Sequence, residues 1–195
     1  MKTCLIIGKP NAGKTLFLLN FAEYIGLKKV KIEHTKINHK VDTKEYDLEE
    51  AKKILSSPIP YKTQCLQSIK LEIHMIKGKK EIIMMDSSGF TDGIHKDIQI
   101  RRAMAQTLEQ IQNSHVIFHV FDLTDDHIEE VDEQLAKYGM TQGGYVILGN
   151  KIDLLDRKDE IIKFQRKFIN HYVIPISALT KEGFREVKSY VCRRL

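Results

Sequence analysis

The sequence predicts a three-layer α/β fold: a mostly parallel six-stranded sheet with one antiparallel strand, and helices on both faces. Three observations carry that expectation. Short apolar runs recur along the chain, helical patterns lie between most of them, and one link, Lys77-Gly78-Lys79-Lys80, is short enough only for an antiparallel hairpin. Parallel neighbours need right-handed crossovers, which the intervening helices supply. Ligands of such a sheet belong in the loops at the carboxyl ends of its strands.

The strand candidates are Thr3–Ile7, Leu66–Ile76, Glu81–Met85, Val116–Phe121, Tyr145–Leu148 and His171–Ile174. The helix candidates are Lys14–Ile25, Asp97–Asn113, Ile128–Tyr138, Lys158–Asn170 and Gly183–Arg194. The stretch between the first helix and Leu66 breaks this alternation. Within it Asp47–Leu55 reads as a short helix, with Asp47 and Glu50 at capping-box spacing, and Ser56-Ser57-Pro58-Ile59-Pro60 ends it. Connections this long usually carry function, so residues 1–195 read as one domain with an extended insertion at about 28–62.

At 195 residues the chain can bury its own core, and its 42% hydrophobic and 29% charged content is that of an ordinary globular protein. No apolar run approaches the roughly 20 residues of a membrane span. The N-terminal apolar run is too short for a signal peptide. Cys4, Cys65 and Cys192 have neither metal-ligand nor CxxC spacing, which predicts a reduced, cytoplasmic protein. A net charge of +5 permits an RNA or acidic partner without requiring one.

Gly8-Lys9-Pro10-Asn11-Ala12-Gly13-Lys14-Thr15 follows the first strand and opens the first helix. It matches G-x-x-x-x-G-K-[ST], in which glycines let successive backbone N–H groups face phosphate oxygens. In that arrangement Asn11, Ala12, Gly13, Lys14, Thr15 and Leu16 surround the phosphates. Lys14 reaches the β and γ phosphates, and the Thr15 hydroxyl ligates Mg²⁺. The loop alone does not choose between ATP and GTP. Asp86, at the end of an apolar run, suits a Mg²⁺ ligand through water, and the Gly89 N–H suits the γ phosphate.

Asn150-Lys151-Ile152-Asp153 follows Tyr145-Val146-Ile147-Leu148. A carboxylate there can accept hydrogen bonds from N1–H and the N2 amino group of guanine, a donor pair that adenine lacks. A turn with a helix N-cap would also explain the tetrapeptide by itself. Here the sequence resembles the P-loop GTPases, whose base motif is N-K-x-D. Ser177-Ala178-Leu179 resembles the motif that closes their guanine site, and Asp86-Ser87-Ser88-Gly89 resembles their D-x-x-G. The resemblance implies the Ras-like G-domain form of the P-loop NTPase fold, GTP and GDP as ligands, Mg²⁺, and slow hydrolysis. ATP-dependent P-loop kinases are the neighbour this disfavours. A GTP-dependent assembly module with negligible hydrolysis is the alternative from another functional class.

Gly8–Thr15 with Leu16-Phe17-Leu18-Leu19-Asn20 is similar to the start of the Era, Der and TrmE families. In Ras-like proteins a glutamine after the D-x-x-G glycine orients water; here that position is Phe90, which reads as a packing residue. In some Era-like GTPases a loop asparagine, matched by Asn11, helps hold K⁺ against the phosphates, so the resemblance implies Asn11 as a potassium ligand. It also implies a threonine closing over Mg²⁺ and γ phosphate. Thr63 is best placed for it, ahead of Thr35 and Thr43, although Lys62-Thr63 replaces the usual Thr-Thr pair. A protein or RNA effector and a GTP-dependent homodimer through the switch face are further implications. His115 and His119 would sit about 13 Å apart on a strand, too far for a shared metal. Arg101 and Arg102 read as a solvated helix face.

Overall fold

The computed structural model describes residues 1–36, 40–56, 65–75, 78–93, 95–141, 143–157 and 159–194. In chain order the elements are β1 (Lys2–Ile7), α1 (Lys14–Tyr24), β2 (Lys29–Thr35), β3 (Val41–Asp47), α2 (Leu48–Leu55), β4 (Leu66–Met75), β5 (Gly78–Asp86) and α3 (Ile98–Asn113). There follow β6 (Val116–Asp122), α4 (Glu130–Gly139), β7 (Tyr145–Asn150), a 3₁₀ turn at Ile152–Leu154, α5 (Asp159–Lys167), β8 (Val173–Pro175) and α6 (Phe184–Arg194).

These strands form one sheet in the order β3-β2-β4-β5-β1-β6-β7-β8. The expected α/β class holds, with eight strands in place of six. β1, β5, β6, β7 and β8 pair in parallel. β4 pairs antiparallel with both β5 and β2, and β2 with β3, so β3 and β4 run against the rest. The extra strands come from the irregular stretch: β2 and β3 pair antiparallel and extend the sheet edge beyond β4. The expected hairpin between β4 and β5 pairs out to Met75 opposite Gly78.

β1, β6 and β7 are apolar almost throughout because helices cover both of their faces. One core, built on Phe17, Phe21, Phe118 and Phe184, lies between the sheet and α1 and α6. The other contains Leu5, Ile7, Phe90, Ile111, Phe121, Ile147 and Phe168. α2 lies where Asp47–Leu55 predicts a helix. Asp47 occupies its N-cap with extended backbone, but its carboxylate makes no capping hydrogen bond, so the capping box does not form.

His119 is buried in β6, held by neither solvent nor a metal cluster among the described residues. Its Nε2 lies 3.0 Å from Asp132 Oδ1 on α4, and its Nδ1 lies 2.5 Å from the Tyr145 hydroxyl. A neutral ring satisfies both contacts when Nε2–H donates to the carboxylate and the Tyr145 hydroxyl donates to Nδ1. Burial keeps His119 neutral by lowering its pKa, with Asp132 opposing the shift. This chain of bonds fixes the first turn of α4 to the centre of the sheet.

Candidate nucleotide site

Loops at the carboxyl ends of β1, β5, β6, β7 and β8 converge on the start of α1. Gly13 is the N-cap of α1, in left-handed conformation at φ 93°, and neither a side-chain cap nor an acidic first-turn residue covers the helix start. The first turn of a helix carries N–H groups without intrahelical partners and a positive dipole end, so it favours an anion. A Cβ on Gly13 would sit 2.3 Å from Asn150 Nδ2, which leaves glycine as the residue that fits. Asn11 is exposed in left-handed conformation at φ 62°, which asparagine tolerates well.

Lys14 is buried, and its ammonium donates to Gly8 O at 3.0 Å and Lys9 O at 2.6 Å. Burial pushes its pKa down to about 8, opposed by the charge of Asp86. Asp86 is also fully buried, and Thr15 Oγ1 donates to its Oδ2 at 2.5 Å. Asp86 Oδ1 is buried without a hydrogen-bond partner. Such an orphaned carboxylate oxygen beside a threonine hydroxyl and an ammonium suits a hydrated divalent cation bridging to phosphate.

Burial raises the Asp86 pKa to about 6, with Lys14 and the Thr15 hydroxyl opposing. The folded, nucleotide-free chain therefore holds this proton more tightly than the unfolded chain does. Its contribution to stability is present below the ordinary carboxylate pKa of 3.8 and is lost as pH rises towards about 6. A cation needs the deprotonated form. Mg²⁺-dependent nucleotide affinity should accordingly fall by up to about tenfold per pH unit below about pH 6. Mg²⁺ titrations of wild type and Asp86→Asn over that range check this: the variant should lose that part of the slope.

The base side of the site is braced by Asn150. Its Nδ2 donates to Ala12 O at 2.7 Å and its Oδ1 accepts from Ala178 N at 2.8 Å, so one buried amide ties the phosphate loop to the Ser177–Leu179 loop. Asn20 on α1 donates to Ala178 O at 2.7 Å. Ser177 folds its own loop, its Oγ accepting from Thr180 N at 2.9 Å. Lys151 has left-handed backbone at φ 68° and pairs through its ammonium with Asp122. Asp153 lies exposed on the 3₁₀ turn, and Leu179 is 63% exposed, leaving a carboxylate and an apolar surface open beside the phosphate loop.

Residues 3–151 match the family described as 50S ribosome-binding GTPase. The chain belongs to this GTPase family. Its relatives include the GTPase Obg of Bacillus pumilus, 31% identical over 127 residues, and that of Bacillus licheniformis, 28% identical over 127 residues. Each match covers 60% of this chain and 29% of the relative, so the chain spans under a third of the curated proteins it matches. The structure of Era with MgGDPNP and a segment of 16S ribosomal RNA superposes with TM-score 0.70 at 19% identity, over 100% of this chain and 56% of that one. The G domain of the Thermotoga maritima FeoB iron transporter superposes with TM-score 0.57 at 18% identity, over 100% and 98%. At these identities the superpositions establish the GTPase fold.

Of the residues expected at the site, Asn11–Gly13, Gly89, Lys151 and Ser177–Leu179 lie on these loops, Lys14–Leu16 open α1, Asp86 and Asn150 end β5 and β7, and Asp153 lies on the 3₁₀ turn that follows β7. Thr63 falls outside the described residues. Gly89 packs so closely on the phosphate loop that a Cβ would be 2.4 Å from Pro10 N. Phe90 is in the core as expected of a packing residue, and its N–H donates to Gly8 O at 3.2 Å. Arg101 and Arg102 are exposed on α3, and Arg101 Nη1 donates to His95 O at 2.9 Å. The sequence pattern included Asn20 and Lys9 but assigned neither a role at the site. Lys9 pairs with Asp125 at 2.7 Å across 116 residues, a distance at which no local pattern exists.

Proposed function

We propose that the chain is a guanine-nucleotide switch that binds Mg²⁺-GTP and slowly hydrolyses it to GDP and phosphate. The double hydrogen bond of the Asn150 amide is the observation that carries this reading, because it puts the phosphate loop and the base loops on one frame. Asp153 accepts the guanine donor pair, while Ala178 and Leu179 border the base. The Gly13–Leu16 backbone and Lys14 hold the phosphates. Thr15 directly, and Asp86 through water, would hold Mg²⁺, which neutralises charge developing on the phosphates. The γ phosphate would order the Gly89 segment and Thr63, making residues 1–195 a single G domain whose insertion at about 28–62 extends switch I.

Within the family the reading is Era-like, from the Gly8–Asn20 pattern and the core position of Phe90. Phe90 has no group to orient water, so the positive charge an arginine finger would bring falls to K⁺ held by Asn11. Turnover should rise several-fold in KCl over NaCl at equal ionic strength, and Asn11→Ala should lose the difference. Equal rates for wild type in both salts would remove potassium from the mechanism.

Phe90 also favours a second reading, a GTP-dependent assembly module with negligible hydrolysis. Single-turnover hydrolysis with and without K⁺ separates the two. The partners that fit are a protein or an RNA effector, since the Era relative is bound to ribosomal RNA and the family is described as ribosome-binding. A GTP-dependent homodimer through the switch face and a cytoplasmic location complete the proposal.

A further inference from the structure

We propose that Asp92 and Glu129 form a clasp that positions the Gly89–Asp92 segment on the phosphate loop and thereby sets the rate of GTP hydrolysis. The inference deepens the GTPase reading and depends on it only for the hydrolytic readout. Its basis is an exchange of hydrogen bonds between a loop and a distant helix start. The Asp92 N–H donates to Glu129 Oε2 at 2.8 Å. In return the Asp92 carboxylate accepts from Glu130 N at 3.0 Å and from Val131 N at 2.8 Å.

Glu129 is the N-cap of α4, and its side chain does not cap the helix. The two N–H groups that most need an acceptor are therefore satisfied by a residue 38 and 39 positions upstream. The arrangement repeats the reciprocity of a capping box across the fold instead of within one turn. Without Asp92 these exposed helix donors would turn to water and the loop would lose its tie.

Both sides of the clasp are anchored on the phosphate loop. The segment is stitched to the phosphate loop by Phe90 N–H on Gly8 O at 3.2 Å, and Gly89 abuts Pro10. The next phosphate-loop residue back, Lys9, donates to Asp125 Oδ2 at 2.7 Å and His127 O at 3.0 Å, and lies 3.7 Å from Glu129 Oε1. α4 itself is fixed to the sheet through Asp132 and His119 at 3.0 Å. Asp92 thus ties the loop that carries Gly89 to a helix that is itself hydrogen-bonded to the central sheet through Asp132 and His119. Asp92 and Glu129 are positioning residues, acting on the phosphates only through Gly89.

The test compares wild type, Asp92→Ala, Asp92→Asn and Glu129→Gln by single-turnover GTP hydrolysis, GDP affinity and amide hydrogen exchange. Asp92→Ala should lower the hydrolysis rate about tenfold, the factor that one lost helix cap represents. GDP affinity should stay within about twofold, since GDP has no γ phosphate for Gly89 to meet. Exchange should rise together at residues 89–92 and at Glu130 and Val131. Asp92→Asn, which keeps an acceptor oxygen, should restore most of the rate. An unchanged rate in Asp92→Ala, or an equal loss of GDP affinity, overturns the positioning role. Unchanged exchange at Glu130 and Val131 overturns the clasp itself. If wild type bound GTP without hydrolysing it, the GTPase reading would fail while the exchange data still decided the clasp.

Discussion

Lys14→Ala should remove nucleotide binding while leaving the nucleotide-free fold standing. The wild-type ammonium is buried against Gly8 O and Lys9 O, and burial already pushes its pKa down to about 8. Asp86 offsets part of that cost, and anionic phosphate beside the ammonium would offset more of it. Truncating one partner of a buried, hydrogen-bonded charge pair costs about 2–5 kcal/mol, or roughly one and a half to three and a half orders of magnitude in affinity. Without nucleotide, Asp86 would lose its nearest cation, and its carboxyl, already raised to about 6, would respond by staying protonated longer. Thermal unfolding of the variant should therefore shift by only a few degrees without nucleotide, and added GDP should no longer raise the midpoint. A variant that binds GDP as well as wild type would show that the loop does not cradle phosphate.

Asp153→Asn should change which base is bound. The carboxylate is exposed on the 3₁₀ turn, so its replacement disturbs no core packing. Asparagine presents an N–H₂ where guanine also presents donors, and the mismatch should weaken GTP by about 10²–10⁴-fold. Xanthine carries an oxygen in place of the guanine amino group and should gain over the same exchange. Competition of GTP, XTP and ATP against a fluorescent nucleotide reads both changes. Loss of all nucleotides together would instead mean that the turn supports the fold and does not read the base.

The two central parallel strands and β7 are legible because helices cover both faces, which makes Cys4–Ile7, Val116–Phe121 and Tyr145–Leu148 continuous apolar runs. β2 carries a short alternation over Lys29–Glu33, with Val30 and Ile32 buried between exposed neighbours, although the sequence expectation placed no strand there; β3 gives no such signal, because Val41–Asp47 exposes nearly every residue at the sheet edge. The site divides in the same way. Gly13, Lys14, Thr15, Asp86 and Asp153 are candidates that local spacing alone proposes, because a phosphate, a cation and a base would each demand particular groups at fixed spacing. Their supports are not, because Asn150 bonds Ala12 across 138 residues and Asp92 bonds Val131 across 39. Helix caps show the limit most plainly. Asp47 has capping spacing and caps nothing, whereas α4 has no capping residue of its own and takes one from a distant loop.

One frame that joins the phosphate and base loops should make nucleotide binding guanine-specific. Calorimetric titration of the nucleotide-stripped chain with GDP and with ADP, each with Mg²⁺, tests it most directly. GDP should bind at least about a thousandfold tighter than ADP, the discrimination expected of a site that pairs base donors. Equal affinities for GDP and ADP would contradict it.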